Sequence, residues 1–191
     1  MRKQECRDLY KLKRLQLSEE HLALMNRELL LQLQSFDWKP YNRVHVFLSM
    51  SKFKEPDTSA FIRWIQASHP SMQLVLSKTD FKHGTMDNYL YNENTILDVN
   101  AWGILEPTDG IKIEDNSIDA VIVPMLVCDE HGNRVGFGKG FYDRFLNNCK
   151  ESVVAIGLSF FEPITQIIDV EPWDYPIHYC VTPNKILKFT K

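Results

Sequence analysis

The sequence predicts an α/β fold, a three-layer α/β/α sandwich with a mostly parallel central sheet. Residues 120–123 and 153–158 are almost entirely apolar, as strands buried on both faces are. Helical stretches separate the strand candidates, and this alternation indicates a parallel sheet covered by helices. The chain has 191 residues, of which 44% are hydrophobic and 25% are charged, and this suits one domain with its own core.

Residues 1–37 predict two helices that pack on this core. Residues 2–15 are mostly good helix formers. Ser18 is a suitable N-cap for the second helix, and Glu19 and Glu20 suit the positive end of its dipole. The apolar residues that follow recur at steps of three and four, which predicts one face buried against the sheet. They are Leu22, Met25, Leu29, Leu33 and Phe36.

Beyond Pro40 the apolar period changes to two, so residues 43–49 predict a strand. Asp57 or Thr58 is expected to cap a helix that carries the apolar residues of 61–65. Residues 72–76, 118–123 and 153–158 predict further strands, and residues 179–182 are expected to add the edge of the sheet. Residues 82–107 are rich in Asn and aromatic side chains, and they predict an irregular segment that helps to build a site.

Composition and charge exclude several classes of protein. The net charge of −3 gives no electrostatic drive toward nucleic acid. No apolar run approaches the roughly 18 residues of a membrane helix, and the first residues lack the apolar core of a secretory signal. We therefore expect a cytoplasmic protein, a monomer, that acts on small molecules and binds neither nucleic acid nor membrane. The cysteines lack metal-site spacing and predict reduced thiols: Cys6, Cys128, Cys149 and Cys180.

Four of the eight glycines fall between residues 132 and 140, after a buried strand and before a helix candidate at 141–149. Glycines let a ligand approach the main chain, and amides that lead into a helix N-terminus attract anions. Arg134 and Lys139 add positive charge to this glycine-rich loop. The pattern suits a phosphate-bearing ligand.

Neither the P-loop nor the dinucleotide fingerprint fits this loop. A plain hairpin around residues 131–133, without a ligand, therefore stays open as the alternative. Asp143 either interacts with the helix N-terminus or binds Mg²⁺ beside the phosphates, because Mg²⁺ usually takes one or two carboxylates together with phosphate oxygens.

A second basic cluster lies at the start of the chain, where residues 1–17 hold six basic and two acidic side chains. Lys3 and Arg7 lie one helical turn apart and share a face. Such a run is usually a solvated face, and sequence spacing alone does not bring it to the glycine-rich loop.

Residues 123–143 resemble the signature of the 5-formyltetrahydrofolate cyclo-ligase family, V-P-G-x-x-F-D-x-x-G-x-R-L-G-x-G-x-G-Y-Y-D. Here the segment is V-P-M-L-V-C-D-E-H-G-N-R-V-G-F-G-K-G-F-Y-D. The resemblance extends along most of the chain. Near the start, Lys3 and Arg7 match the family's K-x-x-x-R, and residues 17–20 match its L-S-x-E. The family's next element is a strand followed by a glutamate, which residues 47–50 and Glu55 match with a slightly long loop, and residues 102–107, 156–160 and 174–176 match three later elements. It departs from the family pattern at Met125, Cys128, Phe141 and Pro163.

The resemblance implies a Rossmann-like fold, related to those of sugar-phosphate isomerases and CoA-transferases. It also implies a ligase of one-carbon metabolism, with ATP as co-substrate and Mg²⁺ as cofactor. The reaction is the conversion of 5-formyltetrahydrofolate to 5,10-methenyltetrahydrofolate with release of ADP and phosphate. ATP phosphorylates the formyl oxygen, and N10 then attacks the activated carbon within the same molecule.

The resemblance further implies roles for individual residues. Arg134 and Lys139 are the expected catalytic residues, and Asp143 is the expected metal ligand. The expected folate-binding residues are Met50, Glu55, Trp102 and Tyr142. The expected ATP-binding residues are Lys3, Arg7, Arg134, Gly136, Phe137, Gly138, Lys139, Gly140, Phe141 and Tyr142.

Two alternatives remain at this point. One is a sugar-phosphate isomerase or CoA-transferase-like enzyme on a related scaffold, which needs an enolising base and no ATP. The other is a nucleotide-binding module without catalysis. Retention of Lys3, Arg7, Arg134 and Asp143 together argues against the second alternative.

Overall fold

A computed structural model describes residues 1–190 of the chain, and this part contains four α-helices and twelve strands. The elements in order are α1 (Lys3–Leu15), α2 (Glu19–Ser35), β1 (Arg43–His45), α3 (Ser59–Ser68), β2 (Gln73–Asp80), β3 (Thr85–Tyr91), β4 (Leu97–Val99), β5 (Leu105–Pro107), β6 (Lys112–Ile113), β7 (Ala120–Pro124), β8 (Val127–Cys128), β9 (Arg134–Val135), α4 (Phe141–Asn148), β10 (Val154–Leu158), β11 (Tyr179–Val181) and β12 (Ile186–Lys188). Short 3₁₀ turns span Ser51–Phe53 and Asp115–Ser117.

Eight of the strands form one sheet in the order β12-β11-β10-β7-β1-β2-β3-β6. The central pairs, from β11 through β10, β7 and β1 to β2, are parallel. The outer pairs are antiparallel. The prediction of a mostly parallel sheet covered by helices is therefore confirmed.

Helices cover both faces of the sheet. On one face, α2 and α3 bury Leu29, Leu33 and Phe61 against Val44 and Ile122. On the other face, α4 packs through its buried Phe145 and Leu146. The inner strands are continuous apolar runs because helices cover both faces of the sheet.

The two helices predicted for the N-terminal segment are present. Ser18 caps α2, since its hydroxyl accepts a hydrogen bond from the backbone N–H of His21 at 3.2 Å. The two buried residues of α2, Leu29 and Leu33, belong to the predicted stripe, and Leu22, Met25 and Phe36 pack against the same core. In residues 1–190, no helix combines the length and the apolarity needed to cross a membrane.

Three expectations about strands need correction. The first predicted strand pairs only over Arg43–His45, because residues 46–50 turn away to form the wall of a cavity. The sheet edge is β12 rather than β11, which lies one strand further in. The segment 82–107 is not irregular throughout: β3 pairs with β2 over its whole length, and β4 pairs with β5.

The expectation that Asp57 or Thr58 caps α3 is confirmed for Asp57. Thr58 occupies the N-cap position, but its hydroxyl donates to the carbonyl oxygen of Phe47 at 2.6 Å instead of capping the helix. Asp57 supplies the capping interaction, since its Oδ1 accepts from the backbone N–H of Ser59 at 2.9 Å. Thr58 thus fixes the chain that leaves β1 to the start of α3.

Candidate active site

One cavity of about 400 Å³ opens at the carboxyl ends of β1, β2 and β7. In parallel sheets this edge is where ligands usually bind. Every site residue expected from the sequence lines the cavity. These residues are Lys3, Arg7, Met50, Glu55, Trp102, Arg134, Gly136, Phe137, Gly138, Lys139, Gly140, Phe141, Tyr142 and Asp143.

The glycine-rich loop runs from the β8–β9 hairpin to the start of α4. The hairpin expected around residues 131–133 is present, and the loop residues that follow it line the cavity. Gly140, with φ of +69°, occupies the N-cap position of α4. Gly138, with φ of +87°, lies so close to the N-terminal helix that a Cβ there would sit 3.0 Å from Arg7 Nε. Glycine at this position therefore permits α1 to approach the loop.

Helix α1 brings its basic face to this loop, which sequence spacing alone did not indicate. Arg7 Nε donates to the carbonyl oxygen of Gly136 at 3.2 Å. Lys3 Nζ forms an ion pair with Asp174, and the backbone N–H of Lys3 donates to Asp169 Oδ1 at 2.7 Å. The cations thus lie beside the amides at the start of α4.

Arg134 and Asp143 form an ion pair in the cavity wall, with Arg134 Nη2 2.6 Å from Asp143 Oδ1. Arg134 also donates to the carbonyl oxygen of Tyr175, whose own N–H donates to Asp143 Oδ1 at 3.1 Å. Burial lowers the pKa of Arg134, and the neighbouring Asp143 carboxylate opposes this shift. A guanidinium keeps its proton even so, and the pair fixes the orientation of the carboxylate.

A polar cleft of about 450 Å³ adjoins the cavity at the start of α4. Its charged lining includes one basic residue that was not singled out from the sequence, Arg144. Arg144 Nε donates to the carbonyl oxygen of Gly84 at 2.7 Å, and its Nη2 donates to that of Lys139 at 3.0 Å. Arg144 therefore ties the turn between β2 and β3 to the glycine-rich loop. In the sequence, only its position one helical turn after Gly140 indicated that Arg144 could lie near this loop.

Aromatic side chains form an apolar end of the cavity, and two of them, Phe137 and Phe141, come from the glycine-rich loop and the start of α4. Trp102 stacks on Phe81 with the ring centroids 4.9 Å apart, and Phe81 meets Phe141 edge-on at 5.4 Å. Phe53 packs against Phe137 at 5.2 Å. The sequence marked Trp102, Phe137 and Phe141 but missed Phe53 and Phe81, because the strand and turn that present these two depend on distant pairings.

Glu55 lies buried at this apolar end, where 5% of its surface is exposed. Its Oε2 accepts a hydrogen bond from the backbone N–H of Met50 at 2.8 Å. Burial raises the pKa of Glu55, while the Met50 hydrogen bond and the charge of Arg14 act in the opposite direction. The preceding Lys54 has φ of +45°, and its Nζ donates to the carbonyl oxygen of Leu17 at 2.6 Å. The Glu55 segment is therefore tied to the end of α1.

His45 forms part of the cavity floor and belongs to a chain of buried polar groups. Asn88 Nδ2 donates to Asp115 Oδ1 at 2.7 Å, so Asn88 Oδ1 accepts the Ser77 hydroxyl proton at 2.6 Å. Ser77 Oγ must then accept from His45 Nε2 at 2.7 Å, which fixes the tautomer with the proton on Nε2. Burial lowers the pKa of His45 to about 3. The ring is therefore neutral at ordinary pH.

Tyr142, which is expected to contact folate, lies near both His45 and Glu55. The ring of Tyr142 meets that of His45 edge-on, with the centroids 5.8 Å apart. Burial raises the pKa of Tyr142, and the charge of Glu55 adds to this shift. Tyr142 is thus a neutral aromatic wall, as a small-molecule cavity requires.

Two of the residues that depart from the family signature, Met125 and Cys128, are buried in the core. Met125 is buried, and its Cε and Sδ occupy the space where a Cβ on Gly157 would lie. Cys128 is buried among the side chains that α4 covers. Both side chains therefore fill space in the core.

The chain is similar to proteins of one family over most of its length. A family model described as the 5-formyltetrahydrofolate cyclo-ligase family matches residues 1–183. The 5-formyltetrahydrofolate cyclo-ligase of Escherichia coli K12 is 30% identical over 146 residues, which cover 75% of this chain and 79% of that protein. A probable 5-formyltetrahydrofolate cyclo-ligase of Schizosaccharomyces pombe is 30% identical over 167 residues, with 80% of each chain covered.

Solved structures gave the same result. The structure of Aquifex aeolicus 5,10-methenyltetrahydrofolate synthetase superposes with a TM-score of 0.82 at 26% identity, covering 100% of this chain and 94% of that one. A 5,10-methenyltetrahydrofolate synthetase from Mycoplasma pneumoniae superposes with a TM-score of 0.73 at 18% identity, covering 95% and 98% of the two chains, and this second likeness concerns the fold.

Proposed function

The chain belongs to the 5-formyltetrahydrofolate cyclo-ligase family, and we propose that the single cavity at the carboxyl ends of β1, β2 and β7 holds both substrates of that family's reaction. The reaction converts 5-formyltetrahydrofolate to 5,10-methenyltetrahydrofolate and consumes ATP. The observation that carries the assignment is the arrangement of one cavity with a cationic loop at one end and aromatic walls around a buried carboxylate at the other.

The phosphates of ATP are expected at the glycine-rich loop. The amides of residues 136–141 lead into the N-terminus of α4, where anions bind favourably. Lys3 and Arg7 reach this loop from α1, and the side chain of Lys139 is exposed at its rim. Arg134 adds its charge from within the wall and holds Asp143 in place.

Asp143 suits the role of a Mg²⁺ ligand in this arrangement. Its Oδ1 is occupied by Arg134 and the Tyr175 N–H, whereas no hydrogen bond engages its Oδ2 in residues 1–190. That part of the chain holds no cluster of three or more metal-ligating side chains, which agrees with an ion held by one carboxylate and phosphate oxygens. When bound, Mg²⁺ would neutralise phosphate charge as it develops during transfer.

The pterin of the folate is expected at the apolar end. Glu55 has acceptor positions beyond the Met50 hydrogen bond, and a carboxylate pairs with adjacent N–H donors. Trp102, Tyr142 and Met50 line the same space as apolar walls. The bound formyl oxygen would then face the γ-phosphate across the cavity.

The chemistry in this geometry requires no nucleophile from the protein. The formyl oxygen attacks the γ-phosphorus and the bond to ADP breaks, which converts the formyl oxygen into a phosphate leaving group. N10 attacks the activated carbon, loses its proton, and phosphate departs to leave the methenyl bridge. Arg134, Lys139 and the loop amides stabilise the charge on the transferred group, and the cavity walls hold the reacting atoms together.

A direct assay tests the proposal. Protein mixed with Mg²⁺, ATP and 5-formyltetrahydrofolate is expected to form the methenyl product, followed by its near-ultraviolet absorbance, with one ADP released per product. No product, with ATP still bound, would instead support a nucleotide-binding module without catalysis. Turnover of a sugar phosphate without ATP would support the isomerase-like alternative.

We also propose that the protein acts as a cytoplasmic monomer. One chain supplies the complete cavity, and the four cysteines are free thiols, as suits a reducing compartment. Light scattering of the purified protein checks the oligomeric state, and cell fractionation checks the location.

A further inference from the structure

Arg14 is a buried cation that the proposed chemistry does not use. It lies near the end of α1 with 2% of its surface exposed. Its Nη1 donates to the carbonyl oxygen of Met125 at 3.4 Å, whereas its Nε and Nη2 are buried without a hydrogen-bond partner. Arg14 also forms no ion pair with any residue in 1–190. A buried, incompletely bonded cation is costly, so its position needs an explanation.

The surroundings of Arg14 connect it to the apolar end of the cavity. Its guanidinium carbon lies 5.5 Å from the ring centroid of Phe137, which packs against Phe53 at 5.2 Å. Phe53 is two residues from Glu55 in the turn that Lys54 ties to the carbonyl of Leu17, at the end of α1. The last turn of α1 therefore supplies the buried cation, and Leu17, two residues after this helix, anchors the segment that carries the buried carboxylate.

Glu55 and Arg14 also influence each other's protonation. The positive charge of Arg14 lowers the pKa of Glu55 against the larger effect of burial. In return, Glu55 raises the pKa of Arg14 against the effect of burial. The groups facing Glu55 from the elements around it are Arg14 of α1 and the neutral Tyr142 of α4. Arg14 is thus the counter-charge of the Glu55 carboxylate in this dry part of the protein.

We infer that Arg14 is a positioning residue for folate: its charge keeps Glu55 ionised, so that Glu55 presents a carboxylate rather than a carboxylic acid to the pterin. This inference rests on the proposed role of Glu55. A protonated Glu55 would lose acceptor capacity and offer an O–H to a donor edge. In this arrangement α1 serves both ends of the cavity, with Lys3 and Arg7 at the phosphate end and Arg14 behind the pterin end.

Arg14→Met tests the inference, since it removes the charge and keeps most of the volume. At about pH 7 we expect the folate KM to rise several-fold, because losing the positive charge of Arg14 raises the pKa of Glu55 and leaves more of its carboxyl group protonated. The ATP KM should stay within about twofold of wild type. Raising the pH should restore folate binding to the variant as Glu55 ionises, a rescue that a merely structural role of Arg14 would not produce. Arg14→Lys keeps the charge and should stay close to wild type.

Two further variants serve as controls. Lys13→Met removes a neighbouring but exposed cation of α1 and should leave both KM values unchanged. Adding Arg14→Met to a Glu55→Gln background should raise the folate KM no further, because Arg14 then has no carboxylate to act on. Circular dichroism and a urea unfolding curve establish that each variant is folded.

Carbon-13 NMR of the glutamate carboxyls, in the ligand-free protein, separates the inference from the proposed function. The resonance absent from Glu55→Gln identifies Glu55, and Arg14→Met should move its titration midpoint upward. An unchanged midpoint, or a folate KM that rises equally at every pH, overturns the inference. If Glu55→Gln leaves the folate KM unchanged, the pterin assignment fails, and the titration alone then supports or overturns the pairing of Arg14 with Glu55.

Discussion

The two ends of the cavity handle charge in opposite ways. At the phosphate end, Lys139 and Arg144 are exposed, and Lys3 is paired with Asp174. At the pterin end, Glu55 and His45 are buried, and burial shifts the pKa of each toward its neutral form. The first end is built for a ligand that brings its own charge, and the second is built for one recognised by aimed hydrogen bonds.

This difference has a physical consequence for specificity. Exposed cations attract any phosphate, and salt screens that attraction. Buried polar groups discriminate strongly, because a ligand that fails to pair them leaves a desolvated group unbonded. We therefore expect affinity for ATP to depend on ionic strength, and selection of the folate to depend on the protonation and tautomeric states of the pterin end.

The largest expected effect comes from Asp143→Asn at the phosphate end. The substitution leaves the buried Arg134 without its anionic partner, at a cost of about 3 kcal/mol. It also removes the carboxylate proposed for Mg²⁺. Turnover should fall by about a hundredfold or more and recover in part at higher Mg²⁺. Asp109→Asn, at an exposed position, is the matched control. Steady-state kinetics over a Mg²⁺ series decide the outcome, and wild-type turnover would remove Asp143 from the site.

His45→Leu is expected to change the pH dependence of stability. The pKa of His45 is about 3 in the folded protein, against 6.5 for an unperturbed histidine. Below about pH 6.5 the unfolded chain takes up a proton that the folded chain refuses, so stability falls as the pH drops toward 3. Between about pH 7.5 and about pH 5 the wild type should lose about 2 kcal/mol through this residue, and the variant should not.

Urea unfolding at the two pH values measures this difference directly. The absolute stability of His45→Leu also falls, because Ser77 loses its donor. The comparison therefore uses the slope with pH and not the midpoint at one pH. Equal slopes for the two proteins would show that His45 is not buried in the neutral form.

Trp102→Ala tests the aromatic wall of the pterin end. Trp102 is 60% exposed and stacks on Phe81, so the variant should fold. An aromatic contact contributes about 1 kcal/mol beyond buried area, which predicts a rise in the folate KM of about fivefold with the ATP KM unchanged. Ile96→Ala is the control, because Ile96 is similarly exposed at 70% but does not line the cavity. A rise confined to the ATP KM would contradict this assignment and place Trp102 at the phosphate end of the cavity.

The smallest expected effect is that of Lys139→Met. The side chain is exposed at the loop rim, so at low salt the ATP KM should rise and the turnover number should fall by only about threefold each. The effect should shrink as salt increases, because screening weakens the wild-type attraction. Lys82→Met, another exposed lysine outside the cavity lining, should leave both KM values unchanged. A salt-independent loss in Lys139→Met would indicate a buried contact instead.

Local patterns in the sequence were sufficient for much of the fold. Ser18 marked the start of α2, the apolar runs marked β7 and β10, and the glycines marked the loop before α4. These features depend on neighbours in sequence, through capping, burial on both faces, and backbone freedom at Gly140. The strand β3 was missed because its polar and aromatic residues are specified by pairing with β2, an interaction between segments.

The sequence by itself determined the fold class, the family resemblance and the residue types needed for an ATP-dependent cyclisation. Only the tertiary structure decided that Arg7 lies against Gly136 and Gly138, since their separation along the chain exceeds 120 residues. It alone placed Arg14 behind Glu55 and fixed the tautomer of His45 through Ser77, Asn88 and Asp115. The reason is physical: burial and the orientation of hydrogen bonds arise from segments that meet only when the chain is folded, and these two factors set the charge of each side chain.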